Sequence, residues 1–154
     1  MNGHRRYLSE AVALAAANVR DGGTPYGAVL VRGDEVLARC ANNVHLTNDP
    51  TDHAEMAALR AASARLGSRD LSGAVMYASG RPCPMCHAAM RLSGIREGYF
   101  ANAAETAAGF GLLDAGIYAE LCRPLDQQPM RLSHLDVPDA AGPYAAWKAR
   151  KDAQ

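Results

Sequence analysis

Two short clusters constrain this chain more than anything else in it: His53-Ala54-Glu55 and Pro82-Cys83-Pro84-Met85-Cys86, each at the predicted start of a helix. A Cys-x-x-Cys step at a helix N-terminus points both thiolates to one side, where the helix dipole and free backbone N–H groups favour negative charge. A histidine from a neighbouring helix adds a third ligand. Two thiolates and a neutral imidazole balance the charge of Zn²⁺ and leave a fourth position open, as catalytic zinc sites do and structural ones do not. The fold must therefore bring two helix starts, far apart in sequence, to one point. Glu55, two residues from His53, projects differently and need not bind the metal, so it can act as a proton carrier.

The rest of the chain supplies the elements for such a fold. Helical periodicity covers about residues 4–20, with Leu8, Val12, Ala15 and Val19 as the apolar stripe, and ends at Asp21-Gly22-Gly23. Residues 27–32 and 35–40 flank Gly33-Asp34 and predict a hairpin. Residues 48–51 form a loop, and Thr51 or Asp52 can cap the helix that starts near His53 and stops at Gly67. Residues 74–78 predict a buried strand, 84–92 a helix opened by Pro84, and 97–101 another strand. A looser helical region spans about 104–122, residues 131–135 fit an edge strand, and Pro143 starts a last helix. This order predicts an α/β fold, a sandwich with a mixed central sheet.

With 154 residues and 16 basic against 16 acidic side chains, the chain reads as one domain of zero formal charge. Nucleic-acid binding normally brings a basic excess, so a small-molecule substrate is expected and a nucleic acid is not. His4-Arg5-Arg6 before an alanine-rich stretch superficially resembles a signal peptide, but Glu10 interrupts it and helix is the better reading. No run is long enough to span a bilayer, so no membrane partner is expected and a cytoplasmic location is. In a reducing compartment closely spaced cysteines suggest metal or redox chemistry, while Cys40 and Cys122 read as small buried hydrophobes.

Three rivals explain part of the pattern. A structural zinc knuckle needs a fourth protein ligand, and no second Cys-x-x-Cys or His-x-x-x-His is present. A thioredoxin-like pair leaves His53 and Glu55 idle. Cys83-Pro-Met-Cys86-His87 also matches c-type haem attachment, which belongs with export.

Taken together, the clusters match the zinc-deaminase signature H-x-E…P-C-x-x-C, and the chain resembles the cytidine deaminase-like superfamily, small bacterial guanine deaminases in particular. The likeness runs through Pro25-Tyr-Gly-Ala-Val-Leu-Val31, Asn42-Asn43-Val44, Asn48-Asp-Pro-Thr51, both metal clusters, Ala108-Gly-Phe110, Asp114, Ile117-Tyr118 and Ala146-Trp147. The resemblance implies a three-layer α-β-α sandwich. It implies zinc held by His53, Cys83 and Cys86, with Glu55 moving protons during hydrolytic deamination of a free nucleobase, guanine first. It also implies that Asn42 and the backbone N–H of Ala54 read the ring, that Tyr26 stacks on it, and that Asp114 helps bind it.

For Asn42 a plain turn role stays open, for Asp114 a helix-cap role, and for Trp147 the anchoring of a terminal helix on its own subunit. By the same resemblance the partner is a second copy, a homodimer with the segment 125–154 exchanged so that Trp147 closes the other pocket. Four departures from the family pattern stand out: Leu92, Arg81, Tyr26 and the absence of an aromatic after Trp147. They keep a related substrate open: an amino-s-triazine, 5-azacytosine, cytosine or isoguanine. A different class of reading is a zinc module without catalysis, in which Glu55 has no task.

Overall fold

The computed structural model describes residues 2–112 and 116–153. It divides into two compact units, one ending at Ala119 and one beginning at Glu120.

The first unit carries helix α1 (Asn2–Arg20), strands β1 (Gly27–Arg32) and β2 (Glu35–Ala41), helices α2 (Val44–Thr47) and α3 (Ala54–Leu66), strand β3 (Ala74–Gly80), helix α4 (Pro84–Leu92), strand β4 (Glu97–Asn102) and helix α5 (Ala104–Gly109). Helix α6 (Gly116–Leu121) runs across the boundary between the units. The sheet order is β2-β1-β3-β4. β1 is antiparallel to both β2 and β3, whereas β3 and β4 are parallel.

That topology positions the site. Because β2 and β3 are both antiparallel to β1, they run the same way, and their C-terminal ends reach one edge of the sheet. The pairings Gly27↔Ala41 and Gly80↔Asn102 mark that edge. Tyr26 just before β1, Asn42 just after β2 and Arg81 to Cys83 just after β3 all emerge there, at the strand ends where α/β sheets bind ligands.

The sheet has a core on each face, giving the expected three layers. On one side Ala28, Leu30 and Met76 pack with Ala54, Ala58, Leu59 and Ala62 of α3. On the other, Val29, Val31 and Tyr77 pack with Ala11, Tyr7, Leu8 and Leu14 of α1. β1 is therefore covered on both faces, and its run Ala28–Val31 is fully apolar, the pattern expected of a central strand.

The helical period of α1 was read correctly but its stripe only in part. Leu8 packs on the core and Ala15 is buried, as expected, whereas Val12 and Val19 are exposed and Ala11 and Asn18 are buried in their place. The small alanines let the helix backbone approach the sheet closely. At Gly27 a Cβ would collide with the carbonyl of Ala11 and reach to 2.8 Å of the Ala15 nitrogen.

Three further expectations change. The helical region 104–122 is two helices, because α5 is followed by Gly111 in the left-handed region at φ +69°. Residues 131–135 carry no regular secondary structure, since the second unit has no described strand with which their backbone could pair. Cys122 is exposed and not buried, although Cys40 is half-buried.

The second unit holds a short 3₁₀ turn (Leu125–Gln127) and helix α7 (Gly142–Asp152), with Pro143 in its first turn. It builds no core of its own: none of its described residues is buried, and Leu135, Tyr144 and Trp147 are all widely exposed.

Candidate active site with a metal-binding triad

His53 and Cys83 are the N-cap residues of α3 and α4, and Cys86 lies one turn into α4. Pro84 opens α4, where its missing N–H costs nothing. Thr51 and Asp52 do not cap α3 as expected. Asp52 pairs with Arg60 at 3.1 Å, and Thr51 is tied to Asp49.

The three ligand atoms converge. His53 Nδ1 lies 3.6 Å from Cys83 Sγ and 3.7 Å from Cys86 Sγ, and the two sulfurs are 3.6 Å apart. A tetrahedral zinc with Zn–S of about 2.3 Å and Zn–N of about 2.0 Å requires S···S of about 3.8 Å and S···N of about 3.5 Å. The donor set thus fits zinc in both chemistry and spacing. No fourth side-chain ligand joins the group among the described residues. A closed structural knuckle is therefore not what these residues build. The redox and haem readings also lose ground, because His53 sits on the thiols while His87 is exposed.

Without metal, the triad shares its protons. The hydrogen bond shared with Cys86, helped by that with His53, lowers the Cys83 thiol to about 4. The same sulfur–sulfur bond, together with burial, pushes the Cys86 thiol up. Its bond with Cys83 raises the His53 imidazole too.

Glu55, in the first turn of α3, is only 6% exposed, and its Oε2 accepts the Cys86 thiol at 3.6 Å. Burial is the main force raising its carboxyl above the ordinary range, with Cys83 adding to it. A buried carboxylate that holds a proton more readily than usual is suited to passing one on.

Beside the triad lies a cavity of ≈190 Å³, lined by His53, Glu55 and Cys83 together with Tyr26, Asn42 and Arg81. Asn42 is buried, and the Val44 N–H donates to its Oδ1 at 3.1 Å. This leaves Nδ2 as the donor that Asn42 can offer. Ala54 is buried at the first position of α3, where a backbone N–H has no partner within the helix. Tyr26 is half-buried and lines both this cavity and a larger neighbouring one. Asp114 lies outside the described residues.

One contributor escaped the sequence reading. Asn18 of α1 is buried and donates through Nδ2 to the carbonyls of Thr24, at 2.7 Å, and Asn42, at 2.9 Å. It ties the chain before β1 to the end of β2 and so fixes where Asn42 sits. Its signal was a lone polar residue in an alanine-rich helix face, which reads equally well as solvent-exposed. Arg81, one of the departures tied above to the choice of substrate, lines the cavity. Leu92, another of the departures, is 88% exposed and lines no part of it.

Comparison with known proteins agrees with this geometry. The zinc-binding region of cytidine and deoxycytidylate deaminases matches residues 1–102. A guanine deaminase of Bacillus subtilis is 35% identical over 146 residues, covering 94% of each chain. A tRNA-specific adenosine deaminase of Aquifex aeolicus is 36% identical, over 64% of this chain and 65% of its own. Among solved structures, a guanine deaminase from Bacillus subtilis superimposes with a TM-score of 0.89 at 35% identity, covering 95% of this chain and 94% of that one. One from Nitrosomonas europaea gives 0.66 at 26% identity, over 79% and 67%. The chain belongs to the zinc-binding cytidine and deoxycytidylate deaminase family.

Proposed function

We propose that the protein hydrolyses guanine to xanthine and ammonia, using His53, Cys83 and Cys86 to hold zinc and Glu55 to move protons. The observation that carries this reading is the buried Glu55 carboxyl, set against a three-ligand triad and facing one cavity with it. The guanine deaminase relative, similar over 94% of the chain, supports the choice of substrate.

Zinc held by His53, Cys83 and Cys86 would supply Lewis acidity, which lowers the pKa of a water towards ≈7. Glu55 takes a proton from the attacking water as the water oxygen bonds to the ring carbon bearing the amino group. It then delivers the proton to the amino nitrogen, the C–N bond breaks, and ammonia leaves. Asn42 and the Ala54 N–H orient the ring by hydrogen bonds, and Tyr26 forms the wall on which it stacks.

The same reading extends to assembly. The segment from Glu120 has no core of its own, with Trp147 60% exposed and Tyr144 79% exposed. A second copy of the chain is the partner, the segment is exchanged between subunits, and Trp147 closes the neighbouring cavity. A thiol-based site with all four cysteines free suits a reducing compartment, which supports a cytoplasmic location. No described helix is long and apolar enough to cross a membrane.

The test is ammonia release by zinc-loaded protein given guanine, with amino-s-triazines, 5-azacytosine, cytosine and isoguanine in parallel. Release from guanine at the highest kcat/KM is expected. A preference for one of the other rings would replace the substrate and keep the chemistry. Zinc-replete protein inactive on every ring would overturn the enzymatic reading.

A further inference from the structure

Arg81 is the one lysine or arginine among the described residues that line the catalytic cavity. No carboxylate pairs with it among the described residues. Its backbone is fixed, because the Arg81 N–H donates to the Asn102 carbonyl at 2.8 Å where β3 and β4 end. Its side chain is exposed but lies over an aromatic ring: Cζ is 4.2 Å from the centroid of Tyr118, well within cation–π range. Tyr118 is held in turn by its hydroxyl, which donates to the Pro82 carbonyl at 2.7 Å. The guanidinium is thus a planar donor fork lying over the Tyr118 ring, at the wall of a cavity also lined by His53, Cys83 and Glu55.

Charge and shape both ask for an acceptor there. Zinc with two thiolates is neutral, and Glu55 adds a negative charge, so Arg81 is the positive end of the cavity. A guanidinium fork matches two acceptors side by side. Guanine presents such a pair, O6 and N7, and arginine reads it with two hydrogen bonds. The amino-bearing carbon of guanine lies on another edge of the ring, so both ends can be engaged at once.

We propose that Arg81 is a specificity-determining residue that reads the O6/N7 edge of the purine while the amino-bearing carbon faces the triad. This rests on the guanine reading above and deepens it. The substrate class that follows is a 2-aminopurine ring carrying a 6-oxo group. Rings with an amino group, or only hydrogen, at that position leave the fork one acceptor, N7.

The experiment compares guanine with 2-aminopurine, which lacks O6, and with 7-deazaguanine, which lacks N7, for the zinc-loaded wild type, Arg81→Ala and Arg81→Lys. Binding of hypoxanthine, which keeps O6 and N7 but has no amino group to lose, is measured by calorimetry on the same proteins. Both substitutions are expected to lower the guanine to 2-aminopurine ratio of kcat/KM about tenfold or more, and to weaken hypoxanthine binding similarly. Arg81→Lys keeps a charge over Tyr118 but lacks the fork, so it is expected to fail with the alanine variant. Zinc content and thermal unfolding show that the variants are folded.

Ammonia release from guanine with a ratio unchanged in both variants would overturn the assignment and leave the guanine reading standing. Full selectivity in Arg81→Lys would reduce the role to bare charge and overturn the fork. Turnover of guanosine monophosphate above guanine, lost in Arg81→Ala, would assign the fork to a phosphate and not to the base edge. No ammonia from guanine in the wild type would remove the underlying reading and this one with it.

Discussion

His53 and Cys83 hold the same position in two different helices. Each is an N-cap residue with extended backbone, at φ −69°, ψ 156° and φ −66°, ψ 167°, and Nδ1 of one lies 3.6 Å from Sγ of the other. Neither side chain makes a capping hydrogen bond. A good cap contributes about 0.5–2 kcal/mol, so both helices forgo that stabilisation and direct the side chains to each other. Their first N–H groups keep a partial positive field directed at the triad, which favours thiolate over thiol.

Glu55→Gln keeps the volume of the side chain but cannot accept and return a proton. Turnover is expected to fall by about 10²–10⁴ while bound zinc stays at one per chain. Ammonia release and metal analysis on the same preparation check this. Loss of zinc along with activity would make Glu55 a structural support.

Zinc uptake is expected to release protons and to weaken as pH falls. In the metal-free protein Cys86 is pushed well up and holds its proton near neutral pH, and the His53 imidazole is shifted upward too. Ligation needs the thiolate and the neutral imidazole, so any proton on either must leave. Lowering the pH favours the protonated, metal-free form. Proton release on zinc binding should appear when binding heats are compared in buffers of different ionisation enthalpy, and should grow as the pH is lowered.

Asn18→Ala removes the donor to two carbonyls at once, leaving that of Asn42 buried without it. A loss of about 1–3 kcal/mol in urea unfolding is expected. Because Asn42 is positioned through this contact, KM for the substrate should rise more than kcat falls. Leucine at position 18 should give the same result, since shape does not replace the amide.

Gly27→Ala places a methyl group against the backbone of α1. Helix and sheet must separate, and a cost of about 1–3 kcal/mol is expected, read as a lower denaturant midpoint. An unchanged midpoint would mean that α1 is not seated on β1 in solution.

The proposed exchange of the segment between subunits predicts complementation between two inactive chains. Glu55→Ala and Trp147→Ala proteins, inactive or impaired alone, should regain activity when co-expressed, because one cavity of the mixed dimer then has both groups. Light scattering should give the mass of a dimer. Activity that never exceeds the sum of the separate variants would place Trp147 on its own subunit.

By itself the sequence determined the metal chemistry and most of the elements. His53, Cys83 and Cys86 could be named because ligand type and spacing are set by the metal, and the helix and strand periods are local. Tertiary structure decided what depends on distant parts of the chain. Which face of α1 is buried followed from the close approach at Gly27, so Val12 and Val19 lie outside despite their apolar side chains. The looser helical region expected over about 104–122 is interrupted because Gly111 takes a left-handed backbone conformation that ends a helix, and 131–135 formed no strand because a strand exists only against a partner. The roles of Asn18 and Arg81 come from neighbours in space. A lone asparagine in a helix and an arginine beside a Cys-x-x-Cys motif have no period or spacing to mark them. Only the sheet direction, with β2 and β3 ending at one edge, brings Asn42, Arg81 and the triad to a single cavity.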